Sequence, residues 1–235
     1  MVSIQLSEPY SASHMPQAEL KGVEKNAAPP LSMFRVENSD AIGGEWGPGA
    51  LVRVRNEAAE RDVYFLVTLS ALLPSSAISS LRRVNLHAPS GAELCSIPRE
   101  WVRYVLVDAR RHTTLVQLTQ LGVNAMLATG VACRAVATAA EGMRATHVWG
   151  KSTLERRPVR IVRVAGETIK LDRGIVNSDE NGLLVGEDGS LLAVADKHYS
   201  LAGIVNDFLE ERLWQLRCRS LALTTRTMIS FRLIS

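Results

Sequence analysis

The chain has 235 residues, 46% of them hydrophobic, and carries a formal net charge of +3. That length and apolar content suit one large domain or two small packed ones. So small a charge excludes a strongly basic nucleic-acid binder as the default reading.

Residues 1–45 differ in composition from the rest of the chain. Ser, Pro, Ala, Glu and Lys dominate, with Pro29-Pro30 and then Gly43-Gly44, which reads as a partly disordered N-terminal arm. A first series of short β-type segments comes next: Ala50–Arg55, Asp62–Thr68, Arg82–His87, Ala92–Ile97, Val102–Asp108 and Thr113–Leu118. Turn formers separate most of them (Asn56, Pro74, Pro89-Ser90-Gly91, Pro98), the spacing of a sandwich or barrel. A second series begins after Leu121-Gly122: Val131–Ala137, Ala145–Trp149, Val159–Val164, Glu167–Leu171, Gly182–Val185 and Leu191–Ala195. Ala165-Gly166 and Asp188-Gly189 are tight-turn signals, because such turns need a residue at positive φ. The period then changes. Leu201, Ile204, Val205, Phe208, Leu209, Leu213 and Leu216 predict an amphipathic helix from Leu201 to Arg219, packed on the second barrel. The domain reading is an arm over 1–45, a first β-barrel over 46–120, a second over 121–198, and a helix and tail over 199–235.

Arginine far outnumbers lysine and alanine is abundant, as in GC-rich bacterial genomes. Three scattered cysteines, Cys95, Cys133 and Cys218, form neither a disulfide framework nor a CxxC metal site, so a reducing cytoplasm is the expected setting. No basic-then-apolar leader opens the chain, and no apolar run approaches the ~20 residues of a membrane span, so no membrane partner is expected. Walker, Gly-x-Gly-x-x-Gly, HExxH and EF-hand patterns are missing, and no cofactor or metal is expected.

Three segments, in this order, carry a resemblance. Tyr64-Phe65-Leu66-Val67-Thr68-Leu69-Ser70-Ala71-Leu72 is similar to an apolar strand ending in Thr-Ala-Ala-His-Cys, with Ala71 at the histidine position. His112-Thr113-Thr114-Leu115-Val116-Gln117-Leu118 is similar to Asp-Ile-Ala-Leu-Leu-Lys-Leu, with His112 at the aspartate position. Ser178-Asp179-Glu180-Asn181-Gly182-Leu183-Leu184-Val185 is similar to Gly-Asp-Ser-Gly-Gly-Pro-Leu-Val, with Glu180 at the serine and Ser178 at the first glycine. Ile42-Gly43-Gly44 and His147-Val148-Trp149-Gly150 are fainter echoes. The chain thus resembles the trypsin-like serine proteases over residues 46 to 218. The resemblance implies a mainly β fold of two packed six-stranded antiparallel barrels, chymotrypsin-like, with a C-terminal α-helix.

The same alignment implies a lost activity. The Ser-His-Asp mechanism needs a hydroxyl nucleophile, an imidazole base and an orienting carboxylate. None stands at its aligned position, and the charge of Glu180 would oppose a developing oxyanion. The expectation is therefore a non-enzyme: a pseudoprotease acting as a protein-interaction or regulatory subunit, in a bacterial multi-protein defence or signalling system. Its candidate binding residues are Ser178, Asp179, Glu180 and Asn181, and a basic stretch of Arg156, Arg157, Arg160 and Arg163, in which Arg157 and Arg163 share a face if the strand is regular. The expected partner is a protein, as a peptide segment or a larger complex. Two alternatives stay open: a hydrolase with a rearranged nucleophile, and an RNA- or DNA-binding accessory protein using the arginines. No aromatic lies between Arg156 and Arg163, so nucleic acid is not favoured.

Overall fold

The computed structural model describes residues 33–38, 45–56, 60–73, 83–151, 153–175 and 178–211. They form a mainly β molecule: a curled sheet, a closed six-stranded antiparallel barrel, and a C-terminal helix. Across the first sheet the strands run β5 (Glu93–Pro98), β4 (Arg83–His87), β1 (Phe34–Asn38), β2 (Glu45–Asn56), β3 (Arg61–Leu69), β7 (Thr113–Leu118) and β6 (Val102–Asp108). Around the barrel they run β10 (Glu155–Ala165), β11 (Thr168–Leu171), β14 (Tyr199–Ser200), β13 (Leu191–Val194), β12 (Gly182–Gly186) and β9 (Arg144–Trp149). Between the two lie a helix α1 (Gln120–Ala128) and a short strand β8 (Cys133–Ala135).

Alternate side chains along the strands enter different cores, three in all among the described residues. Leu51, Leu66, Val116 and Ile97 point into the curl of the first sheet. Val159, Ile161, Leu171 and Leu184 fill the closed barrel. The opposite faces meet: Ala50, Val52, Phe65 and Leu115 from the sheet pack on Val148, Leu183 and Val194 from the barrel. Strands buried on both sides explain why segments such as Phe65-Leu66-Val67 are continuously apolar. Each large apolar side chain buried there contributes about 1.5–3 kcal/mol.

The structure differs from the sequence reading in four places. Phe34–Asn38, inside the expected arm, is a strand, with Phe34 and Val36 fully buried. Helix α1 was not foreseen; Thr119 caps it by accepting from the Gly122 amide at 3.3 Å. Within Val131–Ala137, assigned to the second barrel, β8 instead runs parallel to β2, with Leu51 opposite Cys133. The helix over 201–211, α2 here, packs on both units: Leu201, Ile204, Val205 and Phe208 are buried, and Phe208 meets the Phe65 ring edge-on at 5.6 Å. Residues 212–219 of the expected helix and the segment 224–234 lie outside the described residues.

Two glycines set the frame of the site. Gly189 closes the β12–β13 turn at φ 84°, where the Asp188 carboxylate accepts from the Ser190 amide and hydroxyl at 3.0 and 2.7 Å. Gly182 starts β12, where a Cβ would lie 2.1 Å from the Val148 carbonyl oxygen. Only glycine lets β12 come so close to β9.

Candidate functional site

The sheet and the barrel meet at a cleft of about 200 Å³. Trp46 and Pro48 of β2 and Ala71 after β3 form one wall; Lys151 after β9 and Asp179 and Asn181 before β12 form the other. The first and third segments of the resemblance are therefore brought together. The second lies close by its backbone: the Ser70 amide donates to the His112 carbonyl at 3.0 Å. His112 itself sits at φ 50° in the β6–β7 turn, with its side chain exposed.

Ser178–Glu180 form one 3-10 turn ahead of β12. Successive residues of so tight a turn point in different directions. Asp179 faces solvent and pairs with Lys151 at 2.8 Å, an exposed contact of little energetic weight. Glu180 is turned inward, and its Oε2 pairs with Arg157 Nη2 at 2.9 Å. Asn181 keeps a buried Oδ1 with no hydrogen-bond partner among the described residues.

Glu180 thereby closes a polar column inside the barrel mouth. Arg157 lies over the Trp149 ring, 5.0 Å from its centroid. Trp149 stacks on His147 at 4.8 Å, and His147 meets His198 edge-on at 4.8 Å. His147 and Trp149 share the inward face of β9 with Ala145, and Arg157 shares that of β10 with Val159. His147 and His198 are 0% and 1% exposed; among the described residues the His198 ring has no hydrogen-bond partner, whereas the Glu180 backbone bears on the His147 ring. Burial is the main reason both imidazoles stay neutral. It lowers His147 to about 4, with the Arg157 charge adding to the shift and Glu180 offsetting part of it. It lowers His198 to about 3, with smaller pushes from His147 and Arg157.

The basic stretch is divided by a bulge. The register of β10 against β11 shifts between Ile161 and Arg163, and Val162 is left exposed. Arg156, Arg160 and Arg163 are exposed, whereas Arg157 faces in towards Glu180, so Arg157 and Arg163 do not share a face. The sequence signalled His147 and Trp149 only as a faint echo. Trp46, Lys151 and His198 carried no signal, because a cleft wall and a turn assemble from residues with no local pattern.

No protein-family model matches the chain, and neither does any curated protein sequence. Among solved structures it is similar to Deg5, at 14% identity over 75% of this chain and 87% of that one, with a TM-score of 0.49. It is also similar to the MamO protease domain from Magnetospirillum magneticum, at 12% identity over 71% and 84%, with a TM-score of 0.40. The protease of tobacco vein mottling virus is 11% identical over 79% and 84%, with a TM-score of 0.42.

One expectation is corrected at this point. The sequence reading took the chain for a non-enzyme lacking a Ser-His-Asp triad. Ala71, His112 and Glu180 are positions from an alignment, and an alignment does not establish that a triad is absent. The non-enzyme reading does not stand. What stands is the architecture: a closed six-stranded barrel packed on a curled sheet, with a C-terminal helix and a cleft between the units, the chymotrypsin-like arrangement.

Proposed function

We propose that the chain binds a protein partner, as an extended peptide segment or the edge of a larger surface, in the cleft between sheet and barrel. The supporting observation is the cleft itself, in which Trp46 and Ala71 of one unit face Asp179 and Asn181 of the other around a shared cavity. Its chemistry suits a peptide. Trp46 contributes ring surface to one wall, with the Arg35 guanidinium 4.3 Å over that ring, and Asn181 stands in the opposite wall. A concave site with an apolar wall and a few convergent polar groups is the usual form of a binding site. The role that goes with it is an accessory or regulatory subunit in a bacterial assembly. A cytoplasmic setting suits the unpaired thiols of Cys95 and Cys133 among the described residues.

Random peptides displayed on phage and panned against the protein test this reading. Enriched peptides are titrated by fluorescence anisotropy and their masses followed over time. Wild type is expected to bind them, and Ala71→Arg, which fills the cavity, to lose about tenfold or more in affinity. Peptides that bind Ala71→Arg equally well would sink the proposal. An enriched peptide converted into two product masses would turn the cleft into an active site and replace binding by hydrolysis.

A further inference from the structure

A second concavity, of about 520 Å³, shares no wall residue with the inter-barrel cleft. It runs along β11, continues over residues 172–175, and is bounded on the far side by the β13–β14 turn at residues 196–198. The topology accounts for it. Strand β11 pairs with β14 only at Thr168 opposite Tyr199, and the Ile169 amide donates to the His198 carbonyl at 3.0 Å. Past that point no ladder joins β11 to the turn among the described residues, and the barrel wall parts.

The groove is electrostatically unbalanced. Arg163, Lys170, Arg173 and Lys197 border it, and none has a carboxylate within ion-pair distance among the described residues. Two acids share the wall and each also accepts from a backbone amide, so four cations face two carboxylates. Asp172 accepts from Arg160 N at 2.9 Å, and Asp196 from Lys197 N at 2.7 Å. Arg163 and Lys170 stand opposite one another on β10 and β11, and such like-charged neighbours disfavour one another until a counter-ion arrives. His198 lines the same groove, buried and without a hydrogen bond at either ring nitrogen among the described residues. Half-buried Ile175 supplies apolar wall beside the charges, while Ile169 and Leu171 turn into the barrel core.

We infer that this groove is a binding site for a small organic anion bearing phosphate or carboxylate groups, held by Arg163, Lys170, Arg173 and Lys197 with His198 at its wall. Guanidinium forks take two oxygens of such a group at once, and the ammonium groups add charge without fixing geometry. The apolar wall accommodates a carbon skeleton.

The experiment is an NMR titration of the full ¹⁵N-labelled chain at fixed ionic strength, with inorganic pyrophosphate in one arm and citrate in the other. At least one probe is expected to saturate, with amide shifts confined to residues 168–175 and 196–198. The arm that saturates identifies the chemistry. Lys170→Gln/Arg173→Gln changes two exposed side chains and is expected to weaken that binding about tenfold or more. Arg61→Gln/Arg103→Gln, an equal charge loss on the first sheet, is expected to leave it unchanged. Non-saturating shifts spread over the basic surface, an undiminished affinity in the first double variant, or no shift with either probe would overturn the site.

Discussion

Arg111 Nη2 donates to Asp207 Oδ2 at 2.8 Å, tying the β6–β7 turn of the first sheet to the C-terminal helix. The same guanidinium bonds the Glu167 carboxylate in the β10–β11 turn and pairs with Asp108 of β6 at 3.1 Å. One side chain thus links three parts of the molecule that are far apart in sequence. Glu167 and Asp207 are about half exposed, so the electrostatic gain is screened. Arg111→Met is expected to cost about 1–2 kcal/mol and to lower the melting temperature by a few degrees. Asp207→Asn should cost less, since it neutralises one carboxylate of three. Thermal denaturation by circular dichroism measures both; equal melting curves for wild type and Arg111→Met would show that the three contacts contribute nothing.

The buried histidines make stability depend on pH. His147 titrates near 4 and His198 near 3 in the folded chain, against 6.5 for an exposed imidazole. The unfolded chain therefore binds more protons below pH 6.5, and stability falls as pH drops from there towards about 4. Each histidine contributes a slope of about 1.4 kcal/mol per pH unit inside that window. His147→Phe keeps a ring against Trp149 and is expected to flatten the slope by one proton's worth. Urea melts between pH 7 and 4.5 read this directly, and an unchanged slope in the variant would rule out His147 as a contributor.

The Arg157–Glu180 pair is mostly buried on both sides, so removing one partner costs more than removing both. Glu180→Ala is expected to destabilise by about 1–3 kcal/mol, because the Arg157 guanidinium keeps its charge against Trp149 without a counter-ion. Arg157→Met/Glu180→Leu should recover most of the loss. A double-mutant cycle in denaturant gives the coupling, and simple additivity would mean that the two groups do not interact.

Gly182→Ala places a methyl group on the Val148 carbonyl and pushes β12 away from β9. It is expected to cost about 3 kcal/mol or more, with loss of soluble protein as the first sign. Gly174→Ala, where a Cβ meets nothing within 4 Å, is the matching control.

Much of this fold could be read in the sequence. Thr113–Leu118 matches β7 residue for residue, Asp62–Thr68 lies within β3, and the helical spacing from Leu201 is real. Ala71, Asp179 and Asn181 line one cavity although more than a hundred residues separate Ala71 from the other two. Strand β1 escaped because Met33, Phe34 and Val36 are a short apolar run beside a Pro- and Ser-rich stretch, and only pairing with β2 and β4 makes them a strand. Helix α1 escaped because Gly122 and Asn124 are poor helix formers. The inward turn of Arg157 depends on β10 register and on a bulge five residues away, which alternation alone does not predict. His198 reaches its place through a turn in which Ala195 and His198 both adopt positive φ, and no residue type announces that geometry.

Strand β8 lies parallel to β2 in the first sheet, and one residue beyond its end Val136 bridges to Leu191 of the barrel. A connection that is hydrogen-bonded at both ends, over a shared core, leaves no slack to act as a hinge. The two halves should move as one rigid body on binding and unfold in a single transition. An incoming peptide then meets a cleft whose width is already set, and selection among peptides rests on fit rather than on closure.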